Sequence, residues 1–185
     1  MRIISGIFKG KKILEPKDIK TRPLKDLTKE SIFNIITHSR KFSTKIKNSE
    51  ILDLFSGTGS FGIECLSREA ENVFFVENYP GILSVLKKNL ENLKKLNNYK
   101  IYEKDVLLSL KLNTFKKKFD IIFLDPPYKQ SDLNNLINLI IENKLLKNNG
   151  IIIIHRHKKD NLKITHRLNI LDSRNYEISK IIIGN

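Results

Sequence analysis

The sequence predicts an α/β fold: a mostly parallel sheet covered by helices on both faces, an antiparallel C-terminal hairpin, and a small N-terminal β-hairpin and helix in front. Three observations carry this expectation. From residue 50 onward, short apolar runs alternate with amphipathic segments of helical spacing. Those runs are apolar throughout, as in strands buried on both faces. The last 20 residues hold two apolar segments with no helix between them, which suits an antiparallel closure.

Taken in order, residues 2–14 carry two short apolar runs around Gly6 and Gly10 and read as a small hairpin. Pro16 and Pro23 make 15–25 a loop. Leu27, Ile32, Phe33, Ile35 and Ile36 give 26–38 helical spacing, and the polar, basic stretch 39–49 reads as a loop. The expected boundary divides an N-terminal extension, 1–49, from a main domain, 50–185; 40 residues alone are marginal for an independent core. Strands are expected at 51–55, 73–77, 99–103, 119–125 and 151–155. Helices are expected at about 60–69, 80–95 and 131–143. The hairpin strands are placed at 166–171 and 178–183, with polar 172–177 as their connection, which makes seven strands in the sheet.

The 185 residues, 40% hydrophobic, suit one domain with a sizeable core. The net charge is +14. Such a surplus favours a polyanionic partner such as nucleic acid, although only 7 of the 34 basic residues are Arg, and a lysine-rich coding bias explains the charge equally well. The basic residues do not gather on one amphipathic helix, which disfavours membrane binding. A single cysteine, Cys65, excludes an internal disulfide and a multi-thiolate zinc site, and it reads as a buried helical thiol. No apolar run approaches the ~20 residues that span a bilayer, and the N-terminus lacks a signal-peptide core, so a cytoplasmic location is expected.

Gly57-Thr58-Gly59-Ser60-Phe61-Gly62 satisfies G-x-G-x-x-G after a strand and at the start of a helix, with Glu77 twenty residues beyond Gly57. This is a dinucleotide fingerprint, and a dehydrogenase is the first rival. Asp53 argues against it. An acid at the end of that strand repels a pyrophosphate at the helix N-terminus and suits a cation. The ammonium and sulfonium of S-adenosylmethionine supply one. Glu77 can accept ribose hydroxyls, which fits either cofactor. Asp105 is an acceptor for an adenine amino group or an ordinary helix cap.

Asp125-Pro126-Pro127-Tyr128 ends the fourth strand of the sheet, where open parallel sheets bind ligands. The exocyclic amine of a base is a weak nucleophile because its lone pair is delocalised into the ring. Acceptors for both amine protons, the Asp125 carboxylate and the Pro126 carbonyl, favour a pyramidal nitrogen. Pro126 and Pro127 fix φ and stop the strand. Tyr128 can stack on the base and align it with a sulfonium methyl, which requires a flipped or single-stranded base. The tetrapeptide serves guanine-N2 and adenine-N6 chemistry alike, on RNA, DNA or protein, but 185 residues leave little room for a DNA-reading domain.

With both motifs present, the chain resembles the Class I methyltransferases carrying Asp-Pro-Pro-Tyr. More narrowly, it resembles the RsmD-type bacterial 16S ribosomal RNA guanine-N2 methyltransferases. The likeness runs through Arg2-Ile3-Ile4-Ser5-Gly6, Lys9-Gly10-Lys11, Thr21-Arg22-Pro23, Lys29-Glu30-Ser31-Ile32-Phe33-Asn34, residues 53–68, Val76-Glu77, Asp105 and the tetrapeptide. Lys29 stands where that family usually has Arg, and the match loosens after 130. The resemblance implies a Rossmann-like fold and S-adenosylmethionine held by Asp53, Phe55, Gly57, Gly59, Glu77, Asn78, Asp105 and Val106. It implies RNA contacts at Lys9, Lys11, Arg22 and Lys29 and a 16S rRNA or small-subunit substrate; a monomer is the default expectation, and no metal is expected from these residues.

Other residues attract less. His155-x-His157 could face a metal but lacks cysteine partners. Lys116-Lys117-Lys118 reads as a solvated loop with RNA phosphate as the alternative, and Phe33 as core.

Overall fold

The computed structural model describes residues 1–16, 24–94, 96–127, 132–160 and 163–185. Tyr128 and Arg22, and most of the 15–25 loop, lie outside the described residues.

Seven strands form one sheet in the order β3-β2-β1-β4-β5-β7-β6. The strands are β1 Glu50–Leu54, β2 Asn72–Glu77, β3 Tyr99–Glu103, β4 Phe119–Leu124, β5 Leu146–His157, β6 Ile170–Tyr176 and β7 Ser179–Gly184. The first five are parallel, and β7 runs antiparallel between β5 and β6. The strand order reverses between β1 and β4, so the glycine loop and the tetrapeptide leave adjacent strands at the switch point, where such sheets bind ligands.

The helices follow the apolar periodicity. α1 (Asp26–His38) buries Ile32, Phe33, Ile35 and Ile36 on one stripe. α2 (Ser60–Ser67) is buried all round, and α3 (Pro80–Glu91) opens on a proline, which suits a first helical turn. α5 (Leu133–Glu142) buries Leu133, Leu136, Ile137 and Ile140 at i, i+3, i+4, i+7. With α1, α2 and α3, the apolar residues Ile3 and Ile13 of the N-terminal segment share one core with Ile51, Phe75, Phe123, Ile153 and Ile181. Leu52, Val76, Leu124, Ile154 and Ile182 face the other core, with α5. Successive strand residues therefore alternate between two cores, as the pleat requires.

The structure corrects several expectations. A further helix, α4 (Val106–Lys111), follows β3, its first turn capped by Asp105, whose Oδ1 accepts from the Leu108 amide at 2.8 Å. β5 begins at Leu146, because the Phe119 amide bonds the Leu145 carbonyl and Phe119 pairs with Leu146. The C-terminal hairpin turns at Glu177-Ile178; residues 172–176 are strand, forming the sheet's edge, where polar side chains meet water. The N-terminal hairpin is present as expected but short, the Ile3 amide bonding the Lys11 carbonyl and the Ile13 amide the Met1 carbonyl on either side of the Arg2–Lys12 bridge.

Candidate active site

The pleat brings the acids together. Ile51, Val73, Phe75, Ile121, Phe123, Ile153, Ile181 and Ile183 all face the core that contains α2. Continuing each strand at period two puts Asp53, Glu77, Asp125, His155 and, on β7, Ser179 on that same face. All five lie at the end of the sheet where the glycine loop begins.

Asp53 is 1% exposed. Its Oδ2 accepts from the Gly62 amide at 3.1 Å, while Oδ1 is buried without a partner. Burial, only partly offset by the Gly62 bond, pushes its carboxyl well above the usual range, and Asp125 and Glu77 push the same way. A buried carboxylate with an orphaned oxygen beside two further acids fits a cationic ligand group.

The glycine loop runs through left-handed backbone. Phe55, a bulky residue, has φ 61°, and Gly57 and Gly59 have φ 55° and 80°. A Cβ on Gly62 would stand 2.3 Å from the Phe75 ring, so this glycine lets α2 lie against β2. Ser56 staples the loop to β2: its hydroxyl donates to the Asp53 carbonyl at 2.6 Å and accepts from the Val76 amide at 2.9 Å.

Glu77 is turned toward the loop, its Oε2 accepting from the Gly57 amide and Oε1 from the Asn78 and Tyr79 amides, each at 2.9 Å. Asn78 donates to Asp105 Oδ2 at 3.3 Å, which joins the ends of β2 and β3. Val106 is a buried core residue.

Asp125 follows β4 directly. Its Oδ1 meets His155 Nδ1 at 2.8 Å, and His155 Nε2 meets the Ser179 hydroxyl at 3.0 Å. Burial of the imidazole depresses its pKa, but the charge and hydrogen bond of Asp125 outweigh this and raise it overall, against Arg156. Arg156 reaches the Pro127 carbonyl at 3.4 Å while Asp160 holds its Nε at 2.6 Å. Sequence reasoning weighed His155 only as a metal ligand and passed over Arg156 and Ser179. The signal was positional: Leu124 pairs with Ile154, so residue 155 lies beside 125.

Lys29 is a correction. Its side chain is fully buried, its ammonium donating to the Arg2 carbonyl at 2.7 Å and to Ser60 Oγ at 3.2 Å, with Glu64 at 3.8 Å and Asp26 at 3.7 Å. It cannot reach RNA. Burial lowers its pKa, opposed by Glu64 and Asp26. Glu64 in turn accepts from the Ile4 and Ser5 amides and from Arg68, so the N-terminal segment is sewn to α2.

Lys9 and Lys11 are exposed. The Gly6–Gly10 turn is bound to Ser67 at the C-terminal end of α2. The turn that carries Lys9 therefore sits at the end of α2 remote from the glycine loop. Lys117 pairs with Glu50 at 2.7 Å at the opposite end of the sheet from the tetrapeptide. Phe33 is core, stacked on Phe61 and covered by the Arg68 guanidinium, and Cys65 is a buried thiol. Among the described residues, no group of acids, histidines and cysteine could hold a metal, and no helix is long and apolar enough to cross a membrane.

The strand order, the glycine loop and the acid-ended strands define an S-adenosylmethionine-dependent methyltransferase of the Class I, Rossmann-like kind. The chain belongs to the family described as conserved hypothetical protein 95, the RsmD family, which it matches over residues 1–185. It is 36% identical over 181 residues to Ribosomal RNA small subunit methyltransferase D of Buchnera aphidicola subsp. Baizongia pistaciae, covering 98% of this chain and 88% of the relative. The Haemophilus influenzae protein of the same name is 36% identical over 159 residues, 85% of this chain and 79% of that one. A crystal structure of Haemophilus influenzae HI0767 superposes with a TM-score of 0.76 at 31% identity, covering 99% of this chain and 96% of that one.

Proposed function

We propose that this protein transfers a methyl group from S-adenosylmethionine to the exocyclic N2 amine of a guanine in 16S rRNA, on the small ribosomal subunit or an assembly intermediate, as a cytoplasmic monomer. One observation carries the reading: the orphaned carboxylate oxygen of Asp53 lies buried beside Asp125, at the ends of adjacent strands. The ribosomal target rests on the names of the relatives, and the guanine on the family resemblance.

The cofactor, when bound, supplies an electrophilic methyl on a sulfonium. Asp53 holds the ligand ammonium through Oδ1. Glu77 fixes the ribose hydroxyls, having already shaped the loop through the Gly57 amide. Asp105 and Asn78 flank the adenine, and Phe55, Gly57 and Gly59 line the approach. Asp125 offers its second oxygen, and Pro126 its carbonyl, to the amine protons, which localises the nitrogen lone pair. Tyr128 stacks on the base. Lys9, Lys11 and Arg22 contact RNA phosphate from the N-terminal extension, 1–49, leaving catalysis to 50–185.

The decisive experiment is a tritiated-methyl assay on unmethylated 30S subunits, naked 16S RNA and duplex DNA, followed by nucleoside identification. Labelled N2-methylguanosine from the ribosomal substrates is expected. Labelled N6-methyladenosine, or labelled DNA alone, would refute the proposal.

A further inference from the structure

We propose that His155, anchored by Ser179, is a positioning residue that holds the Asp125 carboxylate in place for the target amine. The inference rests on the proposed amine methylation for its kinetic consequence, and on geometry alone for the contact itself.

Both ring nitrogens of His155 are engaged, and its side chain is only 8% exposed. A carboxylate can only accept, so Nδ1 carries the proton that faces Asp125 Oδ1. The hydroxyl of Ser179 can either donate to Nε2 or accept from it. The arrangement therefore holds for neutral imidazole and for imidazolium, and Asp125 receives a donor in both states. With two anchors the ring cannot turn away. Asp125 is then fixed at Oδ1, which leaves Oδ2 for the amine.

The neighbourhood makes such a donor useful. Asp53 from β1 repels Asp125. From β5, His155 opposes this with a hydrogen bond to Asp125; from β7, Ser179 completes the set. On the opposite face of β5, Arg156 holds the Pro127 carbonyl. Two consecutive residues of one strand thus grip the 125–127 segment from both sides.

The test compares wild type with His155→Phe, His155→Asn and Ser179→Ala. Phenylalanine keeps a ring and removes both bonds; the asparagine amide can restore a donor at the Nδ1 position. For His155→Phe, kcat should fall roughly 10- to 100-fold, as for other residues that orient a reacting group through a hydrogen bond. S-adenosylmethionine affinity should stay unchanged. His155→Asn should recover most of the loss, and Ser179→Ala should show a smaller one. Nitrogen-15 NMR should show the His155 imidazole titrating at lower pH in folded Asp125→Asn than in wild type. This holds whatever the substrate is, so an inactive wild type would count against the proposed function and leave the NMR result to decide the inference. An unshifted His155 titration overturns it, as does wild-type kcat in His155→Phe or equal damage in His155→Asn.

Discussion

Asp53 and Asp125 end adjacent strands on the same face of the sheet, yet their surroundings differ. Asp53 is sealed in, with one oxygen bonded to the Gly62 amide and the other unpartnered. Asp125 is partly exposed and held by a histidine that is itself held by a serine. One carboxylate lacks a counter-charge; the other has a donor in place. The difference teaches a division of labour. A buried acid with an unsatisfied oxygen waits for a cation, whereas an acid at the surface with its rotamer fixed is suited to accept a hydrogen bond from a transient substrate.

The largest expected effect separates the two directly. Asp125→Ala should lower kcat by about 1,000-fold or more, as for loss of a preorganised polar group at a reacting centre, while calorimetry still detects cofactor binding near wild-type affinity. Weakened cofactor binding with unchanged kcat at saturation would reverse the assignment. Next, Asp53→Asn should weaken S-adenosylmethionine binding roughly 10- to 100-fold, the worth of one charge-assisted hydrogen bond. The free protein should be no less stable, since an uncompensated buried acid has been removed. Unchanged affinity would show that the orphaned oxygen does not meet the ligand.

A subtler consequence concerns protons. The free protein holds the Asp53 carboxyl well above its usual range, and a bound ammonium would draw it back down. Cofactor binding should therefore release a proton and tighten as pH rises toward the raised value. Calorimetry in buffers of different ionisation enthalpy measures this, and Asp53→Asn should abolish it. The smallest effect is on stability. A raised carboxyl pKa stabilises the folded state fully below the ordinary carboxylate range and loses this as pH rises through the raised value. The raised imidazole of His155 acts in the same direction at higher pH: its contribution is complete below 6.5 and is lost through its folded value. Denaturant midpoints across pH should show both losses, the first absent in Asp53→Asn and the second in His155→Phe.

Much of the fold was legible because burial on both faces writes strands as unbroken apolar runs, and five of the seven were expected close to where they lie. α4 was missed because six residues hold too few turns to show a period. The C-terminal turn was misplaced because β6 is an edge strand, and Asp172 to Tyr176 carry the polarity of a loop. Lys29 was expected to face RNA because it is basic and lies in a family segment. Its helix instead turns it inward onto Glu64. His155 was weighed as a metal ligand because histidine spacing says nothing of what the adjacent strand presents.

The sequence by itself determined the alternation of strands and helices, the glycine loop after an acid, and the tetrapeptide that stops a strand. These are local patterns, set by propensity, φ restriction and the side-chain period. Only the tertiary structure decided that Asp53 would be left with an orphaned oxygen, that Asp125 would share a histidine with Ser179, and that Lys29 would be core. Each depends on which strands neighbour one another and in what register, and those are settled by long-range packing between residues as far apart in sequence as Asp53 and Ser179.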